Sequence, residues 1–152
     1  MRQKKLTALL AGTLLGLICA GPAAGDVAQD EAIKAAALDY AEGWFTGDEE
    51  RMVRALHPEM LKRRVVTDLI SGAQTVQSLD AAKLIRATGE GIGKGQFDGL
   101  LSLRVAILDR HGEMAMVRVV SELYVEYLQM VNWEGRWVVL SVIWGAIEAP
   151  GD

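Results

Sequence analysis

Residues 100–144, LLSLRVAILDRHGEMAMVRVVSELYVEYLQMVNWEGRWVVLSVIW, decide the fold. Leu101, Leu103, Val105 and Ile107 alternate with Ser102, Arg104 and Ala106. That is the period of two expected of a strand with one buried face. Ala115, Val117 and Val119 alternate with Met114, Met116 and Arg118 in the same way. His111-Gly112 stands between the two runs, where a two-residue hairpin turn belongs. Leu123–Trp133 reads as a third strand, Glu134-Gly135 as a second tight turn, and Trp137–Trp144 as a last strand, apolar almost throughout. The pattern predicts an antiparallel run of long strands.

Upstream the period changes. Over Asp30–Thr46, Ile33, Ala36, Ala37, Tyr40 and Trp44 recur at three- and four-residue spacing, one face of a helix. Gly47 is a natural stop. Asp48 caps a second helix, with Glu49 and Glu50 in its first turn, where the helix dipole favours acids. Pro58 ends that helix and pushes His57 toward extended geometry. Leu61–Ile70 reads as a short strand, Ser71-Gly72 as a turn and Thr75–Leu79 as its partner. Asp80 caps a third helix, Ala81–Thr88, and Gly89–Gly95 (GEGIGKG) follows as a glycine-rich loop. The fold class is α+β, with helices packed on one face of a sheet.

Val138, Val139, Leu140, Val142 and Ile143 make the last strand apolar on both faces. A strand apolar on both sides needs cover on both sides. The simplest second cover is another copy of the sheet, which predicts a two-fold homodimer through the sheet face. The competing arrangement is a monomer whose tail, Ala146–Asp152, lies over that face.

The first 25 residues read as an address. Arg2, Lys4 and Lys5 precede the uncharged, mostly apolar stretch Leu6–Ala20, and the small residues Ala23, Ala24 and Gly25 follow. This is the layout of a secretory signal peptide cleaved before Asp26. It predicts export to the periplasm or the medium, a domain spanning 26–152, and no membrane attachment after cleavage. An uncleaved anchor is the alternative, since Leu6–Gly25 approaches the roughly 20 residues a span needs. Cleavage removes three cations and the only cysteine, Cys19, and takes the net charge from −4 to −7. An acidic chain of this kind is no nucleic-acid binder by electrostatics.

Two passages carry a resemblance to a known family. They are Leu38–Arg64, LDYAEGWFTGDEERMVRALHPEMLKRR, and Glu126–Trp144, EYLQMVNWEGRWVVLSVIW. The Tyr-x-x-x-Trp helix, the Gly-Asp break, the Ala-Leu-His-Pro exit and the closing Gly-x-Trp strand with its terminal Trp resemble the putative lumazine-binding branch of the nuclear transport factor 2-like superfamily. The resemblance implies three N-terminal helices packed on a curved, mainly antiparallel sheet that forms a cone. It also implies a pocket between the first helix and the inner sheet face. Such cones host isomerases, dehydratases, polyketide cyclases and non-catalytic binders, so function rests on the site.

Tyr40 and Trp44, one helical turn apart, are candidates to line that pocket with large apolar surfaces and polar handles. The competing role for both is core. His57, at a helix exit, is a candidate acid or base, against a plain turn-packing role. His111 belongs to a hairpin turn. Glu122, Tyr124, Glu126, Leu128 and Met130 share one strand face by parity. If that face points inward, Glu126 with Tyr40 or Tyr124 forms an acid/base pair; if outward, these residues are solvated or at the dimer seam. One of Lys62, Arg63 and Arg64 is placed to hold an anion, against the usual role of such a run as a solvated basic face. Trp144 completes the aromatic set.

Other chemistries find no support. GEGIGKG is not a phosphate loop: Gly95 follows Lys94 where Ser or Thr is required, and the segment follows a helix instead of a strand. No Gly-x-Ser-x-Gly elbow exists. Two histidines far apart predict no metal site, and no motif implies a cofactor. Three readings remain. The first is non-catalytic binding of a small, partly apolar ligand against Tyr40, Trp44 and Trp144, in a homodimer. The second is proton-transfer catalysis, of isomerase or dehydratase type, with Glu126 or His57 as base. The third is a self-association domain without ligand.

Overall fold

The computed structural model describes residues 24–96 and 100–147. Residues 1–23 of the expected signal peptide, and 148–152 of the tail considered as sheet cover, lie outside the described residues. The element order is α1 (Ala24–Thr46), α2 (Glu49–Ala55), β1 (Leu56–Thr67), β2 (Gln74–Asp80), α3 (Ala81–Gly89), β3 (Arg104–His111), β4 (Met114–Val120), β5 (Tyr124–Trp133) and β6 (Arg136–Ala146). Only α1 and α2 precede the sheet, while α3 enters after β2, so the three described helices are not one N-terminal block.

The sheet is curved and open, with strand order β2-β1-β6-β5-β4-β3. Every pairing is antiparallel except β1 with β6. That parallel pair brings the first half of the chain against the last strand and closes the topology. Pro58 sits in the gap of the β1–β6 register between Leu56 and Leu61, where no ladder bond is demanded of it. The β5–β6 turn is Glu134-Gly135, both at positive φ (52° and 82°), which matches the twist of the flanking strands. The β3–β4 turn is Gly112-Glu113, one residue later than the expected His111-Gly112, because His111 pairs with Met114.

The helices cover one face. Val117, Val119, Leu128, Met130, Val139 and Val142 point to that face and are all but inaccessible. Ile33, Ala37, Met52, Met60 and Leu84 meet them from the other elements. Arg118, Tyr127, Gln129 and Ile143 alternate outward and are exposed. Two bulges break the alternation. Leu108 is the extra residue of β3, and beyond it Arg110 turns inward to meet Asp26 at 2.6 Å and Asp30 at 3.0 Å on α1. Leu140 is the extra residue of β6. Of the five apolar residues that suggested cover on both faces, Val138, Val139 and Val142 are buried within this single chain, while Leu140 and Ile143 stay exposed.

The first helix begins at Ala24, not at Asp30 as the periodicity predicts, and so runs across the expected cleavage point at Asp26. Its first turns are held by the Arg110 ion pairs and by the Trp137 indole, which donates to Gln29 at 2.7 Å. These are tertiary partners, which helix periodicity does not report.

Candidate functional site

At one end of the helix–sheet layer the core opens into a cavity of about 490 Å³. Its walls come from α1 (Trp44), β1 (Lys62, Arg64), β2 (Gln77, Ser78, Leu79), α3 (Leu84), β5 (Tyr124) and β6 (Trp144). The helix brings Tyr40 and Trp44 to the same side one turn apart. Tyr40 is buried beneath the cavity, and Trp44 is half-buried in its wall. On β5, Glu126 points inward in the same row as Leu128 and Met130, and it is paired across the ladder with Trp144. On β1, Lys62 and Arg64 lie two residues apart and face the cavity, while Arg63 between them faces the other side of the sheet.

Below the cavity three polar side chains form a closed cluster. The Tyr40 hydroxyl donates to Glu126 Oε1 at 2.8 Å. Lys62 Nζ donates to the same oxygen at 2.5 Å and to the Tyr40 hydroxyl oxygen at 2.8 Å. The Lys62 and Glu126 side chains are 12% and 8% exposed, so each charge depends on the other for compensation. Burial pushes the Tyr40 phenol well above its ordinary value, and the Glu126 charge and the hydrogen bond to it act the same way. Tyr40 therefore stays a protonated donor to the carboxylate throughout the physiological range.

Above that cluster lie the aromatic groups. Lys62 Nζ stands 4.8 Å from the centre of the Trp144 ring, and the Arg64 guanidinium carbon stands 4.5 Å from it. Tyr124 meets Trp144 edge-on at 5.2 Å and stacks with Phe45 at 6.3 Å. Its hydroxyl donates to Gln96 at 2.8 Å. Partial burial raises the Tyr124 phenol, Glu126 adds to the rise, and Arg64 opposes it. The glycine-rich loop backs the aromatic wall: a Cβ on Gly93 would stand 2.3 Å from the Trp44 carbonyl oxygen and 2.6 Å from its ring. Only glycine permits this approach, and that is the physical use of the loop in this fold.

Of the residues singled out from the sequence, Tyr40, Trp44, Tyr124, Glu126 and Trp144 converge at this end of the molecule. His57 does not. Its Nδ1 accepts the Glu59 backbone N–H at 3.1 Å, and its ring meets Trp133 edge-on at 4.8 Å, beside the β5–β6 turn. Glu126 and Trp144 lie toward the opposite end of those strands. Glu122 stands before β5 rather than on it, and accepts the Ser102 backbone N–H at 2.9 Å. His111 is exposed at the end of β3.

Sequence reasoning missed Gln77, Ser78 and the pairing of Lys62 with Glu126. Strand parity along Lys62-Arg63-Arg64 separates two inward cations from one outward cation once a strand is assumed. The partner of Lys62 depends on the β1–β6 register, which no local signal carries. Among the described residues, no three His, Cys, Asp or Glu side chains cluster as metal ligands would, and no helix is long and apolar enough to cross a membrane.

Several solved structures share this architecture. A nuclear transport factor 2-like protein of unknown function from Silicibacter pomeroyi DSS-3 superposes with a TM-score of 0.64 at 14% identity, over 80% of this chain and 98% of that one. One from Shewanella baltica OS155 gives 0.60 at 17% identity, over 81% and 97%. A ketosteroid isomerase-like protein from Erwinia carotovora atroseptica SCRI1043 gives 0.56 at 14% identity, over 78% and 96%. At these identities the likeness concerns the fold alone. No curated protein matches the chain. The family model described as putative lumazine-binding matches residues 28–145, from the first helix to the end of the last strand. The chain belongs to that family, and its fold is the one seen in these nuclear transport factor 2-like structures.

Proposed function

We propose that the protein is an exported, non-catalytic binder of a small, partly apolar ligand, held at the open end of the fold. The observation that carries this reading is the cavity. It has the size of small-molecule sites, about 300–1,000 Å³, and its aromatic wall of Trp44, Tyr124 and Trp144 borders the buried core. The polar groups beneath are satisfied by one another. Glu126 is covered by Tyr40 and Lys62, an arrangement that stabilises the floor of a pocket more than it presents a base to a substrate. The family's description names lumazine, a flat heterocycle, and lumazine is one compound to titrate.

Proton transfer is the second reading. The Tyr40–Glu126–Lys62 cluster favours it, with Lys62 as the member that reaches the cavity wall. A homodimer through the outer sheet face is part of the proposal. Tyr127 and Ile143 pair across β5 and β6 on that face, 44% and 64% exposed, beside the exposed bulge residue Leu108. Export rests on the charge and hydropathy pattern of Met1–Gly25.

A native mass spectrum of the protein, purified gently from its own cells, tests these elements together. The expected species is a dimer of chains beginning at Asp26, with a discrete extra mass. A bare protein whose melting temperature no flat organic molecule raises, lumazine included, would overturn the binding reading. A monomer would overturn the dimer. An intact mass retaining Met1–Gly25 would overturn cleavage.

A further inference from the structure

The charge balance of the cavity points to the class of ligand, on the reading that the cavity binds one at all. The chain as a whole is acidic, with a net charge of −4. The cavity wall is not: its charged side chains are Lys62 and Arg64, and no Asp or Glu lines it. Lys62 is neutralised from below by Glu126. Arg64 has no acidic partner among the described residues. Its Nε donates to the neutral side-chain oxygen of Gln77 at 2.8 Å, and its central carbon stands over the Trp144 ring. This anchoring uses the Nε edge and leaves the two terminal nitrogens to serve as a fork. A fork of that kind matches a carboxylate, sulfonate or phosphate oxygen pair. Beside it, Trp44, Tyr124 and Trp144 offer apolar ring surface.

We infer that the cavity takes an organic anion carrying a flat apolar ring, with Arg64 as the anion's partner and the aromatic wall as the ring's. The Arg64 guanidinium is not engaged by any carboxylate of the described residues, so an entering anion meets a cation for which no acid of the cavity wall competes. The Gln77 bond and the Trp144 ring fix the guanidinium in advance, so a ligand anion meets a group whose side-chain freedom is already spent.

Two fluorescent probes with the same aromatic frame test this. 1-Anilinonaphthalene-8-sulfonate carries an anion and N-phenyl-1-naphthylamine does not. Both are titrated into the full protein and into Arg64→Gln and Arg63→Gln. The two variants lose the same charge, but Arg63 lies on the outer face of the sheet. Circular dichroism and melting curves verify that each variant is folded. The sulfonate is expected to bind wild type about tenfold tighter than the neutral probe, and Arg64→Gln to remove that advantage. Neutral-probe affinity should hold in both variants, and Arg63→Gln should leave the sulfonate unchanged. Equal loss of both probes in Arg64→Gln would make Arg64 a wall support and overturn the inference. Equal binding of both probes by wild type would overturn it too, while leaving the binding reading intact. Failure of both probes to bind folded wild type would overturn the binding reading itself.

Discussion

The two ends of the helix–sheet layer are built from the same strands and do opposite things. Toward the β5–β6 turn, Leu128, Met130, Val139 and Val142 close against Met52, Met60 and Ile33, and water is excluded by packing alone. Two residues along β5, at Glu126, the inward row turns polar. From there outward the space is enclosed by rings and cations and stays partly empty. The alternation of the strand is the same throughout; the residue type changes. The closed end is held in its interior by short-range, non-directional packing, with the Trp137–Gln29 bond and the Arg110 ion pairs only along its rim. An open end must hold its shape without filling, and does so through directed contacts: a shared carboxylate, two cations over one ring, and a glycine pressed on a tryptophan.

That contrast can be broken at either end. The largest loss should come at the closed end: Leu128→Ala is expected to cost about 4 kcal/mol in urea unfolding, from lost burial plus a cavity that the surrounding strands cannot collapse. At the open end, Glu126→Ala should cost about 3 kcal/mol by leaving Lys62 without its counter-charge. The double change Glu126→Leu with Lys62→Met, made in a Tyr40→Phe background so that no buried hydroxyl is orphaned, should recover most of that loss, because the desolvation cost goes with the pair. A combined variant as unstable as Glu126→Ala would show that the cluster is held by its shape and not by charge compensation.

Gly93→Ala should cost about 2 kcal/mol, because its Cβ meets the Trp44 backbone, which cannot step aside. The quenching of Trp44 fluorescence by iodide should rise with it. Unaltered stability would mean that the loop is free to move off the wall. Tyr40→Phe should have the smallest effect, about 1 kcal/mol at neutral pH, with a clearer signature in alkali. The phenol is raised in the folded state and titrates at its ordinary value in the unfolded chain. Its contribution is complete below about pH 10 and is lost as pH rises above that toward the folded value. Wild type should therefore lose stability more steeply than Tyr40→Phe as pH rises above about 10. Parallel curves would remove Tyr40 from the buried cluster.

Much of this was legible in residue order. The helix carrying Tyr40 and Trp44, the caps Asp48 and Asp80, the Glu134-Gly135 turn and the inward row Ala115-Val117-Val119 all follow from periodicity and turn chemistry. These are properties of a few neighbouring residues. The boundaries that shifted did so for non-local reasons. The first helix starts early because Arg110 and Trp137 hold it, and β1 starts at Leu56 because β6 is there to pair with it. His57 and Glu126 are both candidate bases in the sequence, His57 against a turn-packing role and Glu126 if its strand face points inward. They lie toward different ends of the strands because the β5–β6 hairpin carries Trp133 to one and Trp144 to the other.

Sequence alone determined the class of fold, the order of its elements, the resemblance to its family and the short set of aromatic and acidic residues worth watching. Each of these is written in spacing, and spacing acts through local backbone geometry. Only the tertiary structure decided that Glu126 faces inward, that its charge is met by Lys62, that Arg64 is left over a tryptophan beside an open cavity, and that His57 stands apart. Parity assigns residues to two faces without saying which face is covered. That choice belongs to the helices and to the parallel β1–β6 pairing, contacts between residues about 80 positions apart that close only when the whole chain has folded.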